Sequence, residues 1–127
     1  MKTALTIGGS DPTGLAGIQS DLSTFASFKV RGLSAVTAIT VQTGKKVFEV
    51  KPISAFLLRK QIETLLKEYR VDAIKIGMLG TKENVIAVRK IIEKRKLKNV
   101  VLDPVLASTS GKRLLAKDGI KALLLLL

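Results

Sequence analysis

Two alternating periodicities constrain this chain more than any other feature. Ala4 to Ile7 is a short apolar run that stops at Gly8-Gly9, as a buried strand does where it enters a turn needing close backbone approach. A helix is predicted from about Gly14 to Phe28, with Ile18, Leu22, Phe25 and Ala26 on one face. Ser34 to Thr43 and Val47 to Val50 are rich in β-branched residues and read as strands joined by the turn Gly44-Lys45-Lys46. The second is short and charged at its flanks, which suits an edge or flap strand. Pro52 then opens a long helix over Ile53 to Arg70, in which Phe56, Leu58, Ile62, Leu65, Leu66 and Tyr69 recur at helical spacing. Ala73 to Met78 is the next buried run, closed by Gly77 and Gly80. Thr81 caps a helix carrying Val85, Val88 and Ile92 as far as about Lys96, and Asn99 to Asp103 forms a strand stopped by Pro104. Leu114 to Leu127 is apolar and helix-prone but ends without a cap.

Strands separated by helices specify an α/β fold: three layers, αβα, around a mostly parallel sheet. With 127 residues the expectation is a single domain over positions 1–127. Ligands of such sheets bind outside the carboxyl ends of the strands. The informative positions therefore follow each apolar run: Gly8 to Gly17, Gln42 to Gly44, Gly77 to Gly80 and Asp103 to Gly111. Nearly all the unusual glycine and polar chemistry of the chain falls in these segments, so one mouth of the sheet is expected to be a ligand site.

Composition closes several alternatives. With no Cys and no His there is no disulfide scaffold, thiolate or imidazole metal site, cysteine nucleophile or His-based triad. The longest wholly apolar run, Ala122 to Leu127, is far shorter than the roughly 20 residues of a bilayer span. Met1 to Ile7 leads straight into a glycine turn rather than a secretory signal. The expectation is a cytoplasmic protein with no membrane partner. Twenty-two Lys+Arg against ten Asp+Glu give +12, a balance that suits nucleic acid, a membrane surface or an anionic small molecule. The densest basic stretch, Lys94-Arg95-Lys96 with Lys98, also fits a solvated helix end whose cations complement the dipole. Of the five aromatic residues, Phe25, Phe28, Phe56 and Tyr69 lie in apolar helical patterns and are expected in the core. Phe48 alone is left for base stacking, so nucleic acid is not the expected partner.

Within the mouth, GGSDPTGLAGIQSD sits between strand and helix as phosphate loops do, but contains neither GxxxxGK[ST] nor GxGxxG. It is either a tight turn or a ligand-contacting one. Asp11-Pro12 suits an Asx-type turn, and Asp21 within the helix faces the mouth or solvent. Gln42 follows a largely apolar strand. Its amide can read a heteroaromatic ring bearing an amino group beside a ring nitrogen, or simply bond a neighbouring loop. Met78 offers a soft wall to a flat ring or fills core. Lys75 interrupts an apolar run and needs to extend to solvent or find a partner. Asp103 either orients a metal or phosphate through water or starts the Asp-Pro turn.

The order ALTIGGSDPTGLAGIQSDLSTF, SAVTAITVQT, IKIGML and NVVLDPVLASTSGKRLL resembles the hydroxymethylpyrimidine and phosphomethylpyrimidine kinases of thiamine biosynthesis, within the ribokinase-like superfamily. The resemblance runs from about residue 4 to 116. It implies transfer of the γ-phosphoryl of ATP, with Mg2+, to the hydroxymethyl group of 4-amino-5-hydroxymethyl-2-methylpyrimidine and then to the resulting monophosphate. Carried over residue by residue, it places Gly9, Asp21, Gln42, Met78 and Val105 in the pyrimidine pocket, with Gln42 bonding the ring, and makes Val47 to Val50 a flap over the substrate. It also suggests a homodimer.

The departures are specific. Family members are about twice as long, and their second halves supply the ATP cleft, an Asn/Glu motif near magnesium, and a glycine-rich anion hole with the catalytic Cys or Asp. None of these motifs is found in this sequence, so no catalytic residue and no metal ligand is assigned to it. Where the family usually has Ala-Lys-Ser-Gly, this chain has Ala107-Ser108-Thr109-Ser110-Gly111, without the cation. The leading expectation is the substrate-binding N-terminal half of a ribokinase-like kinase, shortened or incomplete. The alternatives are a non-catalytic basic module for an anionic or nucleic-acid partner and an assembly domain pairing through an open sheet edge.

Overall fold

The first apolar run becomes β1 (Thr3–Ser10), the middle strand of a five-stranded mixed sheet ordered β3-β2-β1-β4-β5. The computed structural model describes residues 1–103, so Val105, the Ala107 to Gly111 turn and the segment Leu114 to Leu127 lie outside the described residues. After β1 come α1 (Gly17–Ser27), β2 (Arg31–Gln42), β3 (Val47–Pro52), α2 (Ala55–Glu68), β4 (Ala73–Ile76), α3 (Lys82–Arg95) and β5 (Val100–Leu102). β1 pairs in parallel with β2 and β4, β4 pairs in parallel with β5, and β3 runs antiparallel along the outer side of β2.

Strand alternation distributes the layers. Leu5 and Ile7 of β1, Ala35 of β2, and Ile74 and Ile76 of β4 meet Leu58 and Ile62 of α2 and Val85, Val88 and Ile91 of α3 in one cluster. Each fully buried Leu or Ile there contributes roughly 1.5–3 kcal/mol. The intervening residues of β1 face α1: Ile18 packs over Gly8, while Leu22 and Phe25 lie over Gly32 of β2. A methyl group on Gly32 would come within 2.5 Å of the Leu22 side chain, so this glycine lets the helix seat closely on the sheet.

Caps fix the helix ends. Ser54 accepts from the Leu57 N–H and Thr81 from the Asn84 N–H, the latter as expected from the sequence. Lys96 ends α3 in the left-handed region at φ 51°, and the densest basic stretch is indeed a helix terminus, with Lys94 and Arg95 in its last turn.

Three expectations are corrected. Pro52 closes β3 instead of opening the next helix. An edge strand tolerates the missing N–H equally well, and Ser54 is the residue that caps α2. The first helix begins at Gly17, because Asp11 to Ala16 are spent on a turn with Gly14 at φ 74°. Phe28 and Phe56 are exposed, at 75% and 62%, and not in the core. Phe56 lies off the Leu58/Ile62 stripe, where Arg59 and Lys60 cover its ring at 5.6 and 5.5 Å. Phe25 and Tyr69 are half-buried. Among the described residues, no helix is long and apolar enough to cross a membrane.

Candidate functional site

The carboxyl ends of β1, β2 and β4 open into a cavity of about 370 Å³, within the range of roughly 300–1,000 Å³ typical of small-molecule pockets. Its walls include Gly9, Asp21, Gln42, Lys75 and Met78, together with the Gly44-Lys45-Lys46 turn. Four of the five residues expected to form the pocket therefore converge; the fifth, Val105, is outside the described residues.

The first wall is the turn after β1. Asp11 is buried and its carboxylate accepts the Thr13 N–H at 2.9 Å, the Thr13 hydroxyl at 2.8 Å and the Ala16 N–H at 2.9 Å. It is thus the Asx-type organiser expected from Asp-Pro, with its acceptors directed at the backbone. Gln19 locks the same turn from α1, accepting the Asp11 N–H and donating to the Ser10 hydroxyl, each at 2.8 Å. Gly17 has φ 65°, and a Cβ there would lie 2.4 Å from the Gly9 carbonyl oxygen, so the helix start crosses the strand end at a spacing open only to glycine.

The second wall is the Gly77-Met78-Leu79-Gly80 turn after β4. The Gly77 N–H donates to the Ile7 carbonyl at 2.8 Å, and the Thr37 hydroxyl donates to the Met78 carbonyl at 2.6 Å. Asn84, fully buried at the start of α3, donates to the carbonyls of Leu79 and Ile53 and ties this turn to the segment before α2. Met78 lies against Gly9 so closely that a Cβ on the glycine would sit 2.4 Å from its terminal methyl. Met78 is buried, as a core-filling side chain would be, and part of its surface lines the cavity.

Gln42 ends β2 at a register shift against β3. Its Nε2 donates to the Thr40 hydroxyl at 2.6 Å, which in turn donates to the Ser10 carbonyl at 2.7 Å. One amide hydrogen therefore anchors the side chain, and among the described residues the carbonyl oxygen and the second hydrogen are left as a donor–acceptor pair.

Asp21 turns towards the mouth rather than solvent. It accepts from the Thr6 hydroxyl at 2.6 Å and from the Lys75 ammonium at 3.0 Å on each oxygen. That pairing answers the position of Lys75 within an apolar run. Asp103 is mostly exposed and stands 4.0 Å from Lys75. Among the described residues there is no group of three His, Cys, Asp or Glu side chains placed to hold a metal ion. A wider hollow of about 770 Å³ lies at the opposite strand ends, beside Phe28, Arg70 and Asp72. Its carboxylate is already committed: the Thr3 N–H, bonded to Asp72, holds that carboxyl below its usual range, helped by Lys2 and Arg70. The roles of Thr6, Thr40 and Asn84 were not read from sequence. The one signal available was a hydroxyl inside an otherwise apolar strand at Thr6.

The family model for phosphomethylpyrimidine kinase matches residues 11–127. The hydroxymethylpyrimidine/phosphomethylpyrimidine kinase of Aquifex aeolicus is 37% identical over 120 residues, covering 94% of this chain and 47% of that protein. Its counterpart in Rhizobium meliloti is 41% identical over 121 residues, covering 95% and 45%. Among solved structures, the phosphomethylpyrimidine kinase of Clostridium difficile superposes with a TM-score of 0.89 at 39% identity, over 97% of this chain and 53% of that one. A Bacillus subtilis pyridoxal kinase, solved as an ADP complex, gives 0.83 at 38% identity, over 97% and 45%. The chain spans about half the length of the curated relatives it matches.

Proposed function

Since this chain belongs to the phosphomethylpyrimidine kinase family, we propose that it carries the substrate-binding half of a ribokinase-like kinase acting on 4-amino-5-hydroxymethyl-2-methylpyrimidine and its monophosphate. The observation that carries this reading is the convergence of Gly9, Asp21, Gln42 and Met78 on one cavity. The free amide edge of Gln42 pairs with a ring nitrogen and the adjacent amino group, while Met78 gives the flat ring a polarisable wall. β3 and the Gly44-Lys45-Lys46 turn act as the flap, and closing them over the substrate keeps water from intercepting the phosphoryl group.

ATP supplies the phosphoryl group and Mg2+ offsets its charge. No residue described here is assigned to either, and the nucleotide cleft and catalytic residue are expected from chain beyond the matched half. Membership of a kinase family favours this reading over a basic binding module. The working assembly is proposed to be a cytoplasmic homodimer. Calorimetry with hydroxymethylpyrimidine tests the pocket. Gln42→Ala, which removes two hydrogen bonds to the ring, lowers affinity by about tenfold or more. Unchanged affinity removes Gln42 from the site.

A further inference from the structure

Lys75 is a charged residue of the cavity, rising from an apolar strand, that the pocket reading leaves without a task. It is three-quarters buried on β4, and its ammonium reaches both oxygens of Asp21 at 3.0 Å. Space for it is provided by Gly77, where a Cβ would stand only 3.2 Å from the Lys75 nitrogen. Thr6 adds a third bond, at 2.6 Å, to the Asp21 Oδ2. A carboxylate has about four acceptor positions, so among the described residues three are taken and one remains, on Oδ1, in a side chain that lines the cavity. A half-buried carboxylate with a single open acceptor and a fixed rotamer is a directional receptor for one hydrogen-bond donor.

We infer that Lys75 is a positioning residue that holds the Asp21 carboxylate so that its remaining acceptor receives one N–H of the substrate's exocyclic amino group. This rests on the pocket reading above and deepens it. The amino group is the donor shared by the pyrimidine alcohol and its monophosphate, so an acceptor aimed at it serves both. Gln42 takes one amino hydrogen and Asp21 the other. The ammonium also neutralises Asp21, which would otherwise present an unpaired negative charge to an anionic substrate.

The test is calorimetry on the purified protein with two probes: hydroxymethylpyrimidine and the analogue lacking the 4-amino group. Lys75→Met weakens binding of the aminated ligand about 10- to 100-fold, the range for a hydrogen bond to a charged group, and leaves the analogue unchanged within about twofold. Lys75→Arg, which keeps the cation, retains most of the discrimination. If Lys75→Met does not fold, the double variant Asp21→Asn/Lys75→Met removes the stranded charge; its melting temperature recovers while discrimination between the probes stays lost. Equal weakening of both probes in Lys75→Met, or wild-type discrimination in the double variant, overturns the inference. A wild-type protein that binds the aminated ligand with no effect of Lys75→Met sinks the Lys75 role alone. A wild-type protein that does not bind that ligand sinks the pocket reading and this role with it.

Discussion

Gly9→Ala separates the two uses a glycine can have at a strand end, freedom of the backbone and room for a neighbour. Gly9 is not among the residues with positive φ, so its backbone is open to alanine. The new methyl would instead lie 2.4 Å from the terminal methyl of Met78, against the roughly 3.5–4.0 Å of an ordinary carbon contact. Met78 must withdraw by at least about 1 Å, and three rotatable bonds let it do so. An altered rotamer costs about 0.5–1.5 kcal/mol, so the melting temperature falls by roughly 2–8 °C and the fold survives. The cavity wall is what changes. A methionine–ring contact is worth about 0.3–1.5 kcal/mol, so affinity for the pyrimidine drops by up to about tenfold. Thermal melts and calorimetry on the same preparation read both quantities. Affinity unchanged beside a melting temperature lowered by more than 10 °C or so would refute the reasoning, because it would make Gly9 a structural residue and Met78 a bystander.

Gly17→Ala is the contrasting case: φ 65° and a Cβ 2.4 Å from the Gly9 carbonyl oxygen leave no flexible atom to yield. Destabilisation of about 2–4 kcal/mol is expected by urea unfolding, and a loss under 1 kcal/mol or so would show that the turn relaxes freely. The Arg95 guanidinium, bonded to Glu63 between α3 and α2, holds that carboxyl below its ordinary value of 4.5. Its stabilising contribution is complete above that value and is lost as pH falls through the lower folded one. Glu63→Gln is therefore less stable than wild type at neutral pH, and the two converge in melts as the pH is taken progressively below 4.5; a gap that stays constant as the pH falls would contradict the linkage.

The layer order and the cavity at the strand ends were legible because both follow from local pattern. Apolar runs that end in glycine mark strands entering turns, helical spacing places Leu58, Ile62, Val85 and Val88 on buried faces, and a sheet of mostly parallel strands puts its loops at one rim. Where the pattern was ambiguous, the reading failed at the ambiguity. Pro52 suits either a helix start or an edge strand, and only pairing with Ala38 decides between them. Phe28 and Phe56 are apolar enough for a core yet fall off the buried stripes.

The bond between Asp21 and Lys75 belongs to another class of information. The two residues are 54 positions apart, on α1 and β4, and meet only because α1 lies over the face of the sheet to which Lys75 points. Sequence states that a lysine in an apolar run needs a partner; it does not say which acid supplies it. Once that pairing is fixed, the charge least suited to a strand becomes a means of aiming another side chain. The glycine two positions along is explained as well, since any larger residue at 77 would crowd the ammonium. Two features read separately, an odd lysine and a glycine turn, are thus one device, and its purpose is visible only from the cavity it faces.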